Sequence, residues 1–269
     1  MSIKKIAFSG LALAALLLTV FAGMPSAQAA DQALLQEKAK EAAQPVTQAQ
    51  VEQIVHDYIV KNPKLIMDSV NNYRFQVASQ QASQDAQQAE KNVQKNKKAL
   101  TGTDSPVAGN PKGDVTVVEF FDFNCHYCKG AFPTVEALLQ DDKNVRLVLK
   151  DFPILGPSSI QASKWALAAQ RQGKYYPFFK ALMLNREPIT DDVLRSIAKQ
   201  VGLDAAQMEK DAADPAITNQ IEKNEQLAEE LGIHGTPSFV IGNKVEPGIL
   251  SEDQLETAVQ DIRALKDGK

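Results

Sequence analysis

The chain has 269 residues, with 29 Lys and Arg against 33 Asp and Glu and a formal net charge of −4 at pH 7. This mild acidity argues against a nucleic-acid partner, since nucleic-acid-binding proteins present a basic face. Two cysteines in a chain of this length also exclude a small secreted scaffold held together by several disulfides.

The N-terminal residues 1–29 are predicted to be a cleaved export signal. Lys4 and Lys5 form its positive start, 11–22 its apolar core, and 27–29 a small-x-small cleavage site. A retained membrane anchor is the alternative, but small and polar residues interrupt the second half of the apolar stretch. We therefore expect a soluble mature protein in the periplasm, an oxidising compartment in which disulfides persist.

Residues 31–100 are predicted to form an all-α segment. Apolar side chains recur at helical spacing on both sides of Asn62-Pro63, where an asparagine cap and a first-turn proline separate two helices. These two stripes contain Val51, Ile54, Val55, Tyr58 and Ile59, then Leu65, Ile66, Val70, Tyr73 and Val77. Such apolar stripes are expected to be buried against another surface, either the C-terminal domain or a second copy of the chain. We favour self-association into a homodimer or homotrimer, because the polar tract 80–98 would hold the stripes away from the rest of the chain.

Residues 101–113 are predicted to be a linker or domain entry, because they hold Gly, Pro, Ser and Asp with few apolar residues. From 114 to 269 the pattern is that of an α/β domain. Strands are expected at 115–123, 145–150 and 238–241 with a hairpin partner at 244–249, and helices at 128–140, within 158–231 and at 251–265. The order strand, CxxC, helix, strand, helices, hairpin, helix is that of a thioredoxin fold with a helical insertion at about 157–231.

The sequence Cys125-His126-Tyr127-Cys128 follows the first predicted strand, at the start of a helix. Unpaired backbone N–H groups and the dipole at a helix start stabilise a thiolate, so Cys125 is the expected nucleophile. Cys128, one turn further, is expected to be more buried and to resolve a mixed disulfide by attacking Cys125. His126, when protonated, is expected to stabilise the thiolate and raise oxidising power, and Tyr127 is the other residue between the sulfurs.

Two other uses of the cysteine pair are weighed against redox exchange. Half of a zinc site would need two more soft ligands, and the three histidines, His56, His126 and His234, have no paired spacing. A permanent structural disulfide would gain little from a position at a strand–helix junction. We therefore expect no metal and no bound cofactor, and a redox-active disulfide between Cys125 and Cys128.

Thr236-Pro237 opens the strand predicted at 238–241. A proline at a strand start is tolerated because its missing N–H need not pair, so it can be an ordinary structural feature. At this place in an order that contains CxxC, we expect instead a cis peptide beside the disulfide. That bond would leave the Thr236 backbone free to pair with a substrate strand.

Glu119 is a charged residue inside an otherwise apolar strand. Burial raises the pKa of a carboxyl group, which would suit proton transfer with Cys128. Lys150, at the end of the second strand, is the candidate partner of Glu119. The alternative is that Glu119 points to solvent at a strand edge.

Three separated motifs resemble those of the DsbA family of bacterial thiol-disulfide oxidoreductases. They are the segments 118–129, 150–153 and 235–239, which occur in the family's order. The resemblance covers about residues 114–266. It implies that the residues named above are the family's site residues, namely the redox pair Cys125 and Cys128, the buried acid Glu119 with Lys150 as its partner, and Thr236 beside the cis-proline Pro237.

Residues 31–100 resemble the N-terminal oligomerisation segment of DsbA relatives such as ScsC and the Com1-like proteins. The resemblance implies a dimer or trimer whose active sites face a shared space, which favours isomerisation of disulfides in exported proteins over simple oxidation. It also implies a membrane redox partner, DsbB-like for an oxidase or DsbD-like for an isomerase. His-Tyr replaces the Pro-His of prototypical DsbA and the Gly-Tyr of the ScsC-like group, so the direction of catalysis stays open. Copper handling or chaperone-like binding, and a vestigial structural domain, are the alternative functions.

Overall fold

The structure is a computed structural model that describes residues 26–42 and 46–268. Residues 26–29 begin the first helix, α1 (Ser26–Ala42), and the rest of the predicted signal peptide lies outside the described residues. The chain divides into two compact units between Tyr73 and Arg74. None of the helices in the described ranges is long and apolar enough to span a bilayer.

The first unit is helical. Besides α1, it contains α2 (Gln48–Lys61) and the beginning of α3 (Pro63–Lys95). Helix α2 starts with a capping box, in which the Thr47 hydroxyl accepts from the Gln50 N–H and the Gln50 side chain accepts from the Thr47 N–H. Pro63 is the first residue of α3, as the Asn62-Pro63 pair predicts. Helix α2 has no buried residue, so its apolar stripe is exposed in the single chain.

The second unit is built on a five-stranded sheet with the strand order β1-β3-β2-β4-β5. Its strands are β1 (Val107–Gly109), β2 (Val115–Phe121), β3 (Val145–Asp151), β4 (Ser238–Ile241) and β5 (Lys244–Pro247). Strands β2 and β3 are parallel, and the other neighbouring pairs are antiparallel. This mixed sheet is that of the thioredoxin fold predicted from the order of the elements.

Helices complete the second unit. They are α4 (Lys97–Thr101), α5 (His126–Asp141), α6 (Pro157–Arg171), α7 (Tyr175–Leu184), α8 (Asp191–Gln200), α9 (Ala205–Ala212), α10 (Pro215–Glu230) and α11 (Glu252–Asp267). The insertion expected at about 157–231 corresponds to α6–α10, which follow β3 and precede β4. Ser251 caps α11, as its sequence position predicts.

The sheet separates two hydrophobic clusters. The first contains α5, α11 and the core of the insertion, with Trp165, Phe178 and Phe179 among its buried side chains. The second packs Val93 of α3 and Leu100 of α4 against strand residues and the C-terminal end of α10. Each buried side chain of this size contributes about 1.5–3 kcal/mol to folding. Val93 and Leu100 therefore anchor the end of α3 and helix α4 to the domain core.

The N-terminal edge of the domain differs from the expected boundary near residue 100. The range 101–113, expected to be a linker, contains β1, which pairs antiparallel with β3. Ser105, within the same range, is buried. A strand of three residues is too short to show the alternation of apolar and polar side chains that predicts a strand. It is recognised only by its pairing with β3.

Candidate active site

Strand β2 leads into a short loop that ends at Cys125, the N-cap residue of α5. The strand is buried almost throughout, so the loop emerges from the centre of the sheet. The Cys125 carbonyl accepts a helical hydrogen bond from the Lys129 N–H at 3.1 Å. Cys128 lies in the first turn of the same helix, and both cysteines are free thiols in this structure. The Cys125 sulfur therefore lies at the positive end of α5.

Asp122 holds the loop between β2 and α5. Its buried carboxylate accepts hydrogen bonds from the Asn124 N–H at 2.7 Å, the Leu155 N–H at 2.9 Å and the Ser159 hydroxyl at 2.8 Å. The Asp122 carbonyl also accepts from the Cys125 N–H at 3.1 Å. These bonds tie the cysteine loop to the start of α6. The sequence prediction missed Asp122, although an acidic residue three positions before the first cysteine of CxxC was visible.

The Cys125 thiol is nearly buried, with 6% of the residue exposed. The pKa of Cys125 is lowered to about 5, mainly by a hydrogen bond from the Cys128 thiol. The Thr236 side chain and the backbone N–H groups of Cys128 and Tyr127 lower it further, against the opposing effect of burial. Cys125 is therefore a thiolate at neutral pH, which is the form that attacks disulfides.

Cys128 has the opposite character. It is fully buried, and burial raises its pKa, as do its hydrogen bond with Cys125 and the nearby charge of Glu119. It therefore keeps its proton at neutral pH. At neutral pH the Cys125 sulfur is therefore ionised and the Cys128 sulfur is protonated, because the two residues occupy different positions on a single helical turn.

Glu119 is 2% exposed, which excludes the alternative of a solvent-facing side chain. Burial raises the pKa of its carboxyl group to about 8. It is therefore mostly protonated at pH 7 and lies close enough to Cys128 to raise the pKa of that thiol. In its ionised form this carboxyl group can accept the proton of the neighbouring thiol, and in its protonated form it can donate one to the thiolate.

Lys150 is not the partner of Glu119, and the expectation that it would be is wrong. The register pairs Glu119 with Leu149 and Lys150 with Phe120, so the two side chains point to opposite faces of the sheet. The buried Lys150 ammonium donates to the Ser105 hydroxyl at 2.6 Å and to the Ala99 carbonyl at 2.8 Å. Lys150 thus anchors the segment after α4 and takes no part in the cysteine site.

Asp151, next in the chain, lies on the same face of the sheet as Glu119. It is fully buried and accepts a hydrogen bond of 2.7 Å from the Tyr175 hydroxyl through Oδ2, while its Oδ1 has no hydrogen-bond partner in the described chain. Burial raises the pKa of Asp151 to about 7. Asp151 could have been found from the sequence, because it is part of the same family motif as Lys150. The sequence prediction instead chose the neighbouring Lys150 as the partner of Glu119.

His126 and Tyr127 are both exposed in the first turn of α5, with their ring centroids 6.0 Å apart. Neither ring is part of the buried cysteine environment. The backbone N–H of Tyr127, in contrast, contributes to the low pKa of Cys125. The His-Tyr pair between the cysteines thus presents its side chains outward.

The loop before β4 closes the other side of the site. The peptide bond between Thr236 and Pro237 is cis. In its protonated form the Cys125 thiol donates to the Thr236 carbonyl, with 3.2 Å between sulfur and oxygen, and the Gly248 N–H donates to the Pro237 carbonyl at 2.8 Å. Thr236 is half-exposed while Pro237 is buried. The Thr236 backbone is thus in direct contact with the more accessible sulfur.

A thioredoxin fold with a CxxC pair at the first turn of the helix after a central strand defines the class of thioredoxin-like proteins. Residues 116–260 match the family model of the DSBA-like thioredoxin domain. The chain belongs to this family, as its three motifs predict. Residues 48–80 match the N-terminal domain of the copper resistance protein ScsC.

Similar proteins of known structure match a little under two thirds of the chain. A thioredoxin-like oxidoreductase from Silicibacter pomeroyi is 45% identical, with a TM-score of 0.61, and the match covers 63% of this chain and 98% of that one. The catalytic domain of Proteus mirabilis ScsC is 26% identical, with a TM-score of 0.59, over 64% of this chain and 97% of that one.

Curated relatives have two kinds of description. A probable disulfide bond formation protein D from Bacillus cereus is 31% identical, over 52% of this chain and 71% of the relative. The Na(+)/H(+) antiporter NhaA 3 of Salinispora tropica is 30% identical over 59% of this chain. The chain spans only 24% of the length of that antiporter.

Proposed function

We propose that the protein is a periplasmic thiol:disulfide oxidoreductase that forms or isomerises disulfides in exported proteins. The observation that carries this proposal is the opposite ionisation of the two cysteines: Cys125 has a pKa lowered to about 5, and the pKa of Cys128 is raised by burial. A stable thiolate in the reduced form makes the disulfide form a good oxidant. The match to the DSBA-like domain supports the same reaction class.

In the oxidising direction, a substrate thiolate attacks Cys125 of the Cys125–Cys128 disulfide. A substrate–Cys125 mixed disulfide forms, and Cys128 leaves as a thiolate that takes a proton. A second substrate thiolate then attacks the substrate sulfur, and Cys125 leaves as a thiolate with the electron pair of the broken bond. The substrate is oxidised by two electrons and the enzyme is reduced by two.

In the isomerising direction, the Cys125 thiolate attacks a wrong disulfide of the substrate. The released substrate thiolate attacks another disulfide of the substrate. The thiolate freed there attacks the substrate sulfur bound to Cys125, so that Cys125 leaves as a thiolate; if this rearrangement stalls, Cys128 resolves the mixed disulfide. Cys128 must lose its proton to do so, and Glu119 in its ionised form, which a pKa of about 8 leaves in the minority at pH 7, is the buried group placed to receive it. We assign His126 a modest effect on the same equilibrium, since a protonated imidazole stabilises a nearby thiolate.

We further propose that the first unit assembles the protein into a homodimer or homotrimer. The exposed apolar residues of α2 and the match to the ScsC N-terminal domain support this assembly. Active sites that face each other favour isomerisation, in which case the membrane redox partner is DsbD-like. An oxidase would instead have a DsbB-like partner. The redox-active disulfide is the sole cofactor that this function needs.

The proposed function is tested by trapping substrates. Cys128→Ala cannot resolve mixed disulfides and should accumulate covalent adducts with exported proteins, which thiol reduction releases. The Cys125→Ser protein is the matched control and should form none. The redox equilibrium with glutathione, measured on the wild type, then gives the reduction potential. If Cys128→Ala carries no more adducts than Cys125→Ser, the protein is not an oxidoreductase of this kind.

Copper(I) binding is the second candidate, because the matching N-terminal domain is named for a copper resistance protein. Two thiolates suit copper(I). In the described part of the chain, the acidic group that could hold a metal is Asp141, Glu252 and Glu256, whose hard oxygen ligands copper(I) does not prefer. Titration of the reduced protein with copper(I), compared with Cys125→Ser, separates the two functions: tight binding that needs Cys125 would favour copper handling.

A further inference from the structure

A closed ring of hydrogen bonds joins the cysteine loop to the insertion. The Asn124 N–H and the Ser159 hydroxyl both donate to Asp122 Oδ1, at 2.7 and 2.8 Å. The Asn124 side-chain amide donates to the Ser159 hydroxyl oxygen at 2.9 Å and closes the ring. Asp122 and Ser159 are fully buried, and Asn124 is half-buried. Ser159 lies in the first turn of α6, so a helix of the insertion reaches the loop that carries the cysteines.

The chemistry of the three groups fixes the direction of every bond in this ring. A carboxylate can only accept, so the Ser159 hydroxyl must donate its single hydrogen to Asp122. The lone pairs of the same hydroxyl are then left to accept from Asn124, whose amide NH2 therefore faces the ring. Ser159 is the member whose side chain both donates and accepts, and its removal breaks two of the three bonds.

In the part of the chain that the structure describes, the Asp122 carboxylate is held by hydrogen bonds without a cation. Its Oδ2 accepts from the Leu155 N–H at 2.9 Å. None of the ion pairs between described residues includes Asp122, and the Lys129 ammonium donates instead to the Asn185 carbonyl at 2.7 Å. A buried carboxylate without a cation depends on each of its hydrogen bonds. Loss of the Ser159 donor should therefore displace the carboxylate together with its loop.

The ring also fixes the backbone from which the reacting sulfur extends. The Asp122 carbonyl accepts from the Cys125 N–H at 3.1 Å, so Asp122 closes the turn with its side chain and its main chain. Cys125 follows this turn with φ −70° and ψ 117°, the extended conformation of a helix N-cap residue. An N-cap side chain lies beside the free N–H groups of the first helical turn. These N–H groups lower the pKa of Cys125, after the larger effects of the Cys128 thiol and Thr236.

A ring that served the fold alone would leave the reactivity of Cys125 unchanged. Its position favours an effect on the sulfur. Asn124 directly precedes Cys125, and Asp122 accepts from the Cys125 N–H, so the ring holds the backbone immediately before the sulfur. The effect of a helix start on a charge also falls off within the first turn. A small displacement of the Cys125 backbone therefore changes how strongly the thiolate is stabilised.

We infer that Ser159 is a positioning residue of the redox site, which acts through Asp122 and Asn124 to hold the Cys125 sulfur at the start of α5. This inference rests on the proposed oxidoreductase function and deepens it, because it gives the insertion a part in setting the reactivity of the cysteine pair. The first helix of the insertion then supplies a hydroxyl that keeps the attacking sulfur in place, in addition to covering the core.

Ser159→Ala tests the inference without a change of charge, because it removes the hydroxyl and leaves a residue that suits a buried helical position. In the reduced full-length protein, the rate of alkylation with iodoacetamide is measured against pH. We expect the midpoint to rise by about one pH unit, a tenfold loss of thiolate stabilisation that corresponds to one hydrogen bond to a charged group. The equilibrium with glutathione should shift about tenfold towards the disulfide form, or about 30 mV, since the thiolate stabilises the reduced form.

Ser158→Ala is the matched control. Ser158 also accepts from the Asn124 amide at 2.9 Å, but it is exposed and is not a member of the ring. Both readouts should stay at their wild-type values in this variant. Asn124→Ala opens the ring at its half-buried member and should move both readouts in the same direction as Ser159→Ala. It decides the question if Ser159→Ala does not fold.

Urea denaturation of each variant reports stability separately from the two readouts. If the folded ring variants keep the wild-type midpoint and glutathione equilibrium, whatever their stability, the ring serves the fold alone; the inference is then wrong and the proposed function stands. If Ser158→Ala shifts both readouts as much as Ser159→Ala, the effect does not come from the ring, which also overturns the inference. If the wild type does not exchange with glutathione, the proposed function itself fails.

Discussion

The Tyr175 hydroxyl donates a hydrogen bond of 2.7 Å to Asp151 Oδ2 inside the core, on the face of the sheet that also carries Glu119. It connects the insertion helix α7 to the end of β3. Because Asp151 Oδ1 has no partner in the described chain, this bond is the main compensation for burying that carboxyl group. Two buried carboxyl groups therefore lie on this face of the sheet, where the sequence prediction placed one.

Tyr175→Phe should lower the free energy of unfolding by about 1–3 kcal/mol, because it leaves both Asp151 oxygens without a hydrogen-bonding side chain. Urea denaturation at pH 7 measures the loss. Tyr176→Phe is the matched control: its hydroxyl donates to Glu136 at a half-buried position, so water can replace the bond at less cost. Equal losses in the two variants would contradict a special role for the buried pair.

Glu119→Gln should change how stability depends on pH. The pKa of Glu119 is raised from 4.5 in the unfolded chain to about 8 in the folded protein, so between these values the folded state binds the extra proton. A raised carboxyl pKa costs stability as the pH rises, with a slope of at most about 1.4 kcal/mol per pH unit. Glutamine is neutral at every pH, so the substitution removes this pH-dependent loss of stability.

The stability of Glu119→Gln relative to the wild type should therefore increase from pH 4.5 towards pH 8. Using the difference between the two proteins cancels the opposite contribution of Cys125, whose lowered pKa adds stability as the pH rises. Urea denaturation of both reduced proteins at several pH values gives the difference. A difference independent of pH would show that Glu119 titrates near its ordinary value.

Alkylation of the reduced native protein should follow the ionisation of Cys125. We expect the rate of reaction with iodoacetamide to have a midpoint near pH 5, while buried Cys128 stays unmodified. Cys128→Ala removes the largest cause of the low pKa and should move the midpoint upward. Mass spectrometry after timed quenching identifies the modified residue. A wild-type midpoint near 9, the ordinary value for this thiol, would contradict the proposed thiolate.

Two deletions separate assembly from domain stability. Removal of 31–73 should yield a monomer that still oxidises dithiols but loses isomerase activity on a scrambled substrate. Removal of 31–100 should in addition destabilise the domain, because it deletes Val93 and Leu100 from the core at about 1.5–3 kcal/mol each. Sedimentation and urea denaturation measure the two effects. A monomer with full isomerase activity would show that assembly is not needed for that reaction.

The sequence by itself determined the elements whose signals are local. The apolar run before CxxC, the Asn62-Pro63 break and the Ser251 cap predicted a strand, a helix boundary and a helix start that the structure contains. The order of these elements was enough for the thioredoxin fold. The positions of Cys125 and Cys128 on a helix start also follow from adjacent residues, because a helix end acts only on its own first turn.

Tertiary structure decided what depends on contacts between distant segments. Strand register placed Lys150 on the face opposite Glu119 and brought Asp151 to the face expected for the lysine, since one step along a strand reverses the side chain. The C-terminal end of α3 is polar in sequence, but it joins the domain core because its single buried residue, Val93, packs with α10. A period in the sequence shows that a face is apolar, but which neighbour covers it depends on the fold.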